Sequence, residues 1–373
     1  MSGPNKQSHS LFNIVSSLAE RVPFSMGKAI LQIHGLPTSL GWERTKSGIK
    51  SLNNELPDNR AAADKLLTLF EEHIRVGEKL IRNYGFQGIP SKVKFVNAVH
   101  GSLRTVQIPD TVFSQAYPLS ITDHGLLKKL DGEAPVLTCI FERDEAIFFQ
   151  FCSVRSFRVR VELDKGDFTD QDQEIIQKYS EIIGILSSRR QCYDTVVFHP
   201  KNESFELRLD APEGISVDQQ RRAIKQVSDA FDALSNKHFG YGPFGGSPFN
   251  YHRIIANLYQ KKGEGSVFQL GFTAMTEDTS SNNGARLMRR RGKDLRTDGF
   301  HVGGRDAVKE LDPYTIGVVW TRPGHPSSPK LLVPGTMQML YKSPVLFPEI
   351  VVRDCLTDSD FAFVSSKIEQ YKN

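Results

Sequence analysis

The stretch Phe157-Arg158-Val159-Arg160-Val161-Glu162 alternates apolar and charged residues without a break. Successive side chains of a β-strand point to opposite faces. The stretch is therefore read as a strand with Phe157, Val159 and Val161 on a packed face and Arg158, Arg160 and Glu162 on the other. A different period governs the beginning of the chain. Behind Asp58, the residues Leu66, Leu67, Phe70, Ile74, Leu80, Ile81 and Tyr84 recur at helical spacing, and Gly85 stands where a glycine ends a helix. Upstream, Leu11–Leu18 carries a short helical pattern, and Thr38 or Ser39 is placed to cap a helix holding Trp42, Ile49 and Leu52. A chain that is helical first and strand-rich afterwards belongs to the α+β class.

Glycine and proline punctuate the chain at Gly85–Ser91 and again in "GYGPFGGSPFNY", Gly240–Tyr251. These breaks suggest a helical N-terminal region over 1–88, a central α+β domain over 89–239 and a C-terminal β-rich α+β domain over 240–373. The length of 373 residues suits two or three domains. In the centre, strands are expected at Lys92–Val99 and Ser102–Ile108. A hairpin is expected from Val136–Glu142 and Ala146–Ser153 about Arg143-Asp144-Glu145, and another from Thr195–His199 and Ser204–Leu209. Thr169 with Asp172 resembles a capping box for a helix through Ile175, Ile176, Tyr179, Ile182, Ile183 and Leu186. Ser216 with Gln219 is a second, for a helix through Ile224, Val227, Phe231 and Leu234. Further strands are expected at Val267–Met275, Tyr314–Trp320, Met337–Tyr341 and Glu349–Arg353, with a last helix from Thr357-Asp358. Both sheet-containing regions are expected to be mixed and mainly antiparallel.

Several function classes lack their local signatures. The four cysteines, Cys139, Cys152, Cys192 and Cys355, show neither C-x-x-C nor zinc-finger spacing. The N-terminus is polar, and no apolar run approaches the ~20 residues of a membrane span, so a cytoplasmic protein without membrane contact is expected. Phosphate-loop, zinc-protease and nucleophile-elbow motifs are missing. Gly240–Gly245 fits G-x-G-x-x-G, but it follows a helix and Pro243 removes a backbone donor, so it is read as a linker. No cofactor or metal site is expected, and no catalytic residue is assigned.

The chemistry concentrates in one segment. Arg286, Arg289, Arg290, Arg291, Lys293 and Arg296 stand against Asp294 alone, whereas the whole chain carries only +4. Arg305 follows, beside Gly303-Gly304. A guanidinium fork suits phosphate oxygens, and glycines let backbone N–H groups approach an anion. Arg158 and Arg160, Arg189-Arg190 at an expected helix end, and Phe300 and Phe272 as stacking surfaces give modest support. The expectation is a non-catalytic nucleic-acid-binding protein, an accessory or sensor component of a system acting on foreign or damaged nucleic acid, with phosphate-backbone contacts from Arg286, Arg289, Arg290, Arg291, Lys293, Arg296 and Arg305. Two alternatives stand beside it. One is a nuclease or nucleotide hydrolase built around Asp298 and His301, the latter standing in R-x4-H spacing from Arg296. The other is an assembly protein whose basic loop docks on an acidic protein partner.

Overall fold

The computed structural model of the chain describes residues 9–86, 92–162, 178–179, 182–275, 285–290, 292–308 and 310–372. The protein is α+β. Among the described residues, ten strands form one sheet in the order β2-β3-β4-β5-β1-β10-β9-β8-β6-β7, and every ladder is antiparallel. The strands are β1 (Lys79–Gly85), β2 (Val136–Arg143), β3 (Ala146–Glu162), β4 (Ile183–His199), β5 (Ser204–Asp210), β6 (Ser266–Met275), β7 (Ala285–Arg289), β8 (Glu310–Val319), β9 (Lys330–Val333) and β10 (Ile350–Arg353). Each of the three sequence regions thus contributes to the same sheet.

Helices concentrate before the central strands: α1 (Leu11–Ala19), α2 (Phe24–Ile33), α3 (Gly41–Lys50), α4 (Pro57–Val76), α5 (Lys92–Ser102), α6 (Val112–Ala116) and α7 (His124–Leu130). Later come α8 (Val217–Phe239), α9 (His252–Gln260), α10 (Gly299–Asp306), α11 (Met337–Leu340) and α12 (Asp358–Tyr371). The period-two pattern of the strands sorts their side chains between two packed layers. Leu207 and Leu209 of β5 and Val196 and Phe198 of β4 pack with α8 through Ile224, Val227 and Phe231. Cys152 and Val154 of β3 and Tyr193 of β4 pack instead with the N-terminal helices through Leu11, Leu66 and Phe70. The C-terminal strands share a third cluster with α9 and α12. No helix among the described residues is long and apolar enough to cross a membrane.

Both expected hairpins form, as β2–β3 and β4–β5. The Ser216–Gln219 capping box opens α8, whose Gly240 end adopts φ +75°. Several expectations need correction. Lys92–Val99 lies in helix α5, with Phe95 and Val99 buried four residues apart; its β-branched residues had mimicked alternation. Ser102–Ile108 forms the end of α5 and a short 3-10 turn rather than a strand. Met337–Tyr341 lies in the single turn of α11, whose Thr336 side chain accepts from the Met339 N–H. The long helix of the N-terminal region stops at Val76, and Leu80, Ile81 and Tyr84 belong to β1. There Gly77 admits the His73 ring, which would lie 2.4 Å from a Cβ. Of the helix expected after Thr169, the cap and Ile175 and Ile176 lie outside the described residues, while Ile183 and Leu186 stand on β4. Arg189 and Arg190 are likewise strand residues, paired with Asp131 at 2.8 Å and Glu78 at 2.6 Å.

Where β4 runs past the end of β5, a buried charge network replaces the ladder. The Asp210 carboxylate accepts from Arg21 at 2.7 Å, Lys79 at 3.2 Å and the Tyr193 N–H at 3.0 Å. The Asp194 carboxylate accepts from Arg155 at 2.9 Å and from the Asp210 N–H at 2.8 Å. Burial alone pushes the Asp210 carboxyl up, but Arg21, Lys79 and Arg190 outweigh it and hold it well below the usual carboxylate range. Burial dominates at Lys79 and lowers its ammonium below the ordinary value, against the pull of Asp210.

Candidate nucleic-acid interface

Strand β7 lies at one edge of the sheet and, among the described residues, pairs only with β6. It carries Arg286, Leu287, Met288 and Arg289. Met288 packs against the C-terminal core and anchors the strand, while Arg286, Leu287 and Arg289 are exposed. The Tyr314 hydroxyl donates to the Arg286 carbonyl at 3.1 Å, and Arg289 Nε donates to Oε1 of the directly opposed Gln269 at 3.0 Å. The Arg290 N–H extends the contact by donating to the Phe268 carbonyl at 2.9 Å. Arginines placed along an edge also deter the pairing of another strand.

The other basic positions fall into distinct environments. The Arg290 guanidinium pairs with Asp298, which also caps α10 by accepting from the Phe300 N–H at 3.1 Å. Lys293 is exposed in the turn beyond β7. Among the described residues, no carboxylate lies within ion-pair distance of Arg286, Arg289 or Lys293. Arg305 lies on α10 and pairs with its neighbour Asp306 at 2.9 Å. Arg291 lies outside the described residues.

Arg296 departs most from the sequence expectation. It is 2% exposed. Its Nη1 donates to the carbonyls of Leu258 at 2.8 Å and Lys261 at 2.5 Å. Its Nη2 donates to the carbonyls of Glu264 at 3.1 Å and Gly265 at 2.8 Å, and to Asp294 Oδ2 at 2.7 Å. Nε donates to Asp294 as well. Every N–H of the fork is spent inside the protein, so Arg296 is a positioning group with none left for phosphate. Burial would push the Asp294 carboxyl up, but the bonds from Arg296 and from the Val267 N–H hold it below its ordinary value.

This fork fixes the loop after α9 to the basic segment. The loop carries Lys261 and Lys262, both exposed. Sequence reading missed these two lysines, because nothing local ties them to a segment some thirty residues away. Glu264 of the same loop does not offset them on the surface: it accepts from Trp320 at 2.7 Å, Lys367 at 3.0 Å and the Tyr371 hydroxyl at 3.1 Å. Among the described acids of the segment and of this loop, Asp294, Asp298, Asp306 and Glu264 each pair with a cation.

Phe300 is 76% exposed beside this surface, whereas Phe272 is buried against the His301 ring. His301 is itself buried, with Nε2 2.9 Å from the Tyr259 hydroxyl. Burial, helped by Arg305, pushes its imidazole below the ordinary value. Asp298 and His301 therefore occupy a helix cap with an ion pair and an aromatic pocket. Among the described residues, no group of three or more His, Cys, Asp or Glu side chains is placed to hold a metal ion. Comparison with known protein families and with curated proteins finds no match for the chain.

Proposed function

We propose that the protein binds nucleic acid through phosphate contacts along the β7 edge and its adjoining loops, as a non-catalytic accessory or sensor component. The reading rests on one observation: among the described residues, exposed cations with no carboxylate in ion-pair distance gather there, while Asp294, Asp298, Asp306 and Glu264 are paired. Arg286 and Arg289 on β7, Lys293 in the turn, and Lys261 and Lys262 on the fixed loop form the set. Arg290 and Arg305 add to it by exchanging Asp298 and Asp306 for phosphate; the Arg305 pair lies at the surface, where such an exchange costs little, and Arg290 is exposed beside a half-buried Asp298. Phe300 offers an exposed ring for a base to stack on. Cations spread over an edge strand, loops and one short helix favour backbone contacts over base reading.

The experiment is fluorescence anisotropy with single- and double-stranded DNA and RNA of mixed sequence, at about 50 and about 200 mM salt. Affinity for at least one probe should fall steeply between the two. No binding to any of the four probes overturns the reading and directs attention to an acidic protein partner.

A further inference from the structure

Strands β3 and β4 run together for sixteen register pairs, from Ile147↔Phe198 to Glu162↔Ile183. Their neighbours do not accompany them. β2 pairs with β3 only as far as Cys152, and β5 pairs with β4 only from Thr195 onward. From about Arg155 and Arg190 outward, the two strands form a ribbon that no other described strand joins. Its base is held by α8 and the turn before it: Gln219 Nε2 donates to the Ser156 carbonyl at 2.7 Å, and a Cβ on Gly214 would lie 2.2 Å from the Arg158 carbonyl oxygen.

The outer end of β4 is apolar and exposed, although its register partners on β3 opposite Ile183 and Ile185 are Glu162 and Arg160. Ile183 is 46%, Ile185 61% and Leu186 59% exposed. The segment Ile183-Gly184-Ile185-Leu186-Ser187-Ser188 has no charge and no proline. The other open edges are different. β7 carries Arg286 and Arg289, the outer part of β3 carries Arg158, Arg160 and Glu162, and β2 ends in Glu142-Arg143, its uncharged residues Val136–Phe141 being buried or half-buried. Charged residues of that kind protect an edge from further pairing, and the β4 edge lacks them. An isolated two-stranded ribbon is also marginally stable in water.

We infer that residues 183–188 of β4 form a self-association edge that pairs antiparallel with the same residues of a second copy of this chain. An uncharged strand is complementary to itself, whereas the charged β3 edge would oppose like charges in several registers. The two-fold axis must cross the ribbon at a residue, so that each face meets its own kind. Centred on Ile185, the pairing sets that side chain against its counterpart, covers the neighbouring apolar residues and makes a four-stranded ribbon. This inference does not rest on the proposed nucleic-acid surface, which lies on a different strand at one edge of the sheet.

Sedimentation velocity of the full chain, free of nucleic acid, from about 1 to about 100 μM reads the association directly. Wild type should shift from monomer to dimer across that range, and Ile185→Lys should remain monomeric with an unchanged melting temperature. In parallel, Ile185→Cys should give a disulfide-linked dimer at least about tenfold faster than Ile33→Cys, another exposed position, because pairing raises the local thiol concentration. A wild type that stays monomeric throughout, an Ile185→Lys variant that associates as wild type does, or equal cross-linking of the two cysteine variants overturns the inference. Slow amide exchange at residues 184–187 in a monomeric sample would also overturn it, since the edge would then be covered by the chain itself.

Discussion

Replacing Arg296 by lysine keeps the charge and removes the fork. The native side chain satisfies four carbonyls, those of Leu258, Lys261, Glu264 and Gly265, and both oxygens of Asp294. An ammonium has three donors, so at least three of those acceptors lose their partner. An unmet buried acceptor costs about 1–3 kcal/mol, and the loop's exposed side lets water relieve part of this. Arg296→Lys should therefore destabilise the protein by roughly 3–5 kcal/mol, the scale of a broken buried ion pair. Urea titration followed by far-ultraviolet circular dichroism measures it as a lower midpoint. A phosphate-binding arginine would behave in the opposite way, with stability unchanged and nucleic-acid affinity reduced. A loss below about 1 kcal/mol would refute the assignment of Arg296 as the group that fixes the loop.

Asp298→Asn keeps an N-cap residue but releases Arg290, so nucleic-acid affinity and its salt dependence should both rise; anisotropy reads this, and an unchanged affinity would argue against Arg290 as a contributor. Asp210→Asn leaves Arg21 and Lys79 without their shared counter-charge and should cost about 3–5 kcal/mol in urea titration, where a loss under about 1 kcal/mol would count against the network. Burial raises the Glu206 carboxyl, but Arg208 and His199 outweigh it and bring it down to about 2. Because that folded value lies below the unfolded one of ~4.3, Glu206 stabilises the protein fully above this range, and its contribution fades as pH falls toward 2. Glu206→Gln should accordingly flatten the decline of melting temperature between about pH 5 and pH 3, and an unchanged slope would contradict the assigned pairing. Gly214→Ala meets both φ +91° and the Arg158 carbonyl and should cost more than about 2 kcal/mol, with exchange protection lost first in residues 155–158.

The fold was legible where local chemistry and packing agree. The Val136–Ser153 hairpin has alternation and a turn, and Ser216 with Gln219 makes both capping contacts at the start of α8. It was misread where a short apolar run fits two periods. Leu80, Ile81 and Tyr84 continue the spacing of α4, yet the chain turns at Gly77 because β1 fills the space between β5 and β10, a long-range demand. Lys92–Val99 looks extended until α8 is in place to receive the Phe95 face. The basic segment was visible as charge, but its division was not. Arg286 and Arg296 look alike in sequence; one faces solvent from an edge strand, and the other is enclosed by carbonyls of a loop some thirty residues earlier. The same distance hid Lys261 and Lys262. The Asp210 network draws on residues as far apart as Arg21 and Asp210, beyond any local spacing rule.

The most direct measurement is the slope of log affinity against log salt for the best-binding probe, compared between wild type and the Arg286, Arg289 and Lys293→Ala triple variant. All three side chains are exposed and outside the core, so the variant should keep the wild-type melting temperature. Each phosphate contact adds about 0.9 to the slope on duplex DNA, so their loss should reduce it by roughly 2–3 and weaken binding at least about tenfold at 50 mM salt. A folded variant that binds with wild-type affinity and slope would contradict the account and place any nucleic-acid surface elsewhere on the protein.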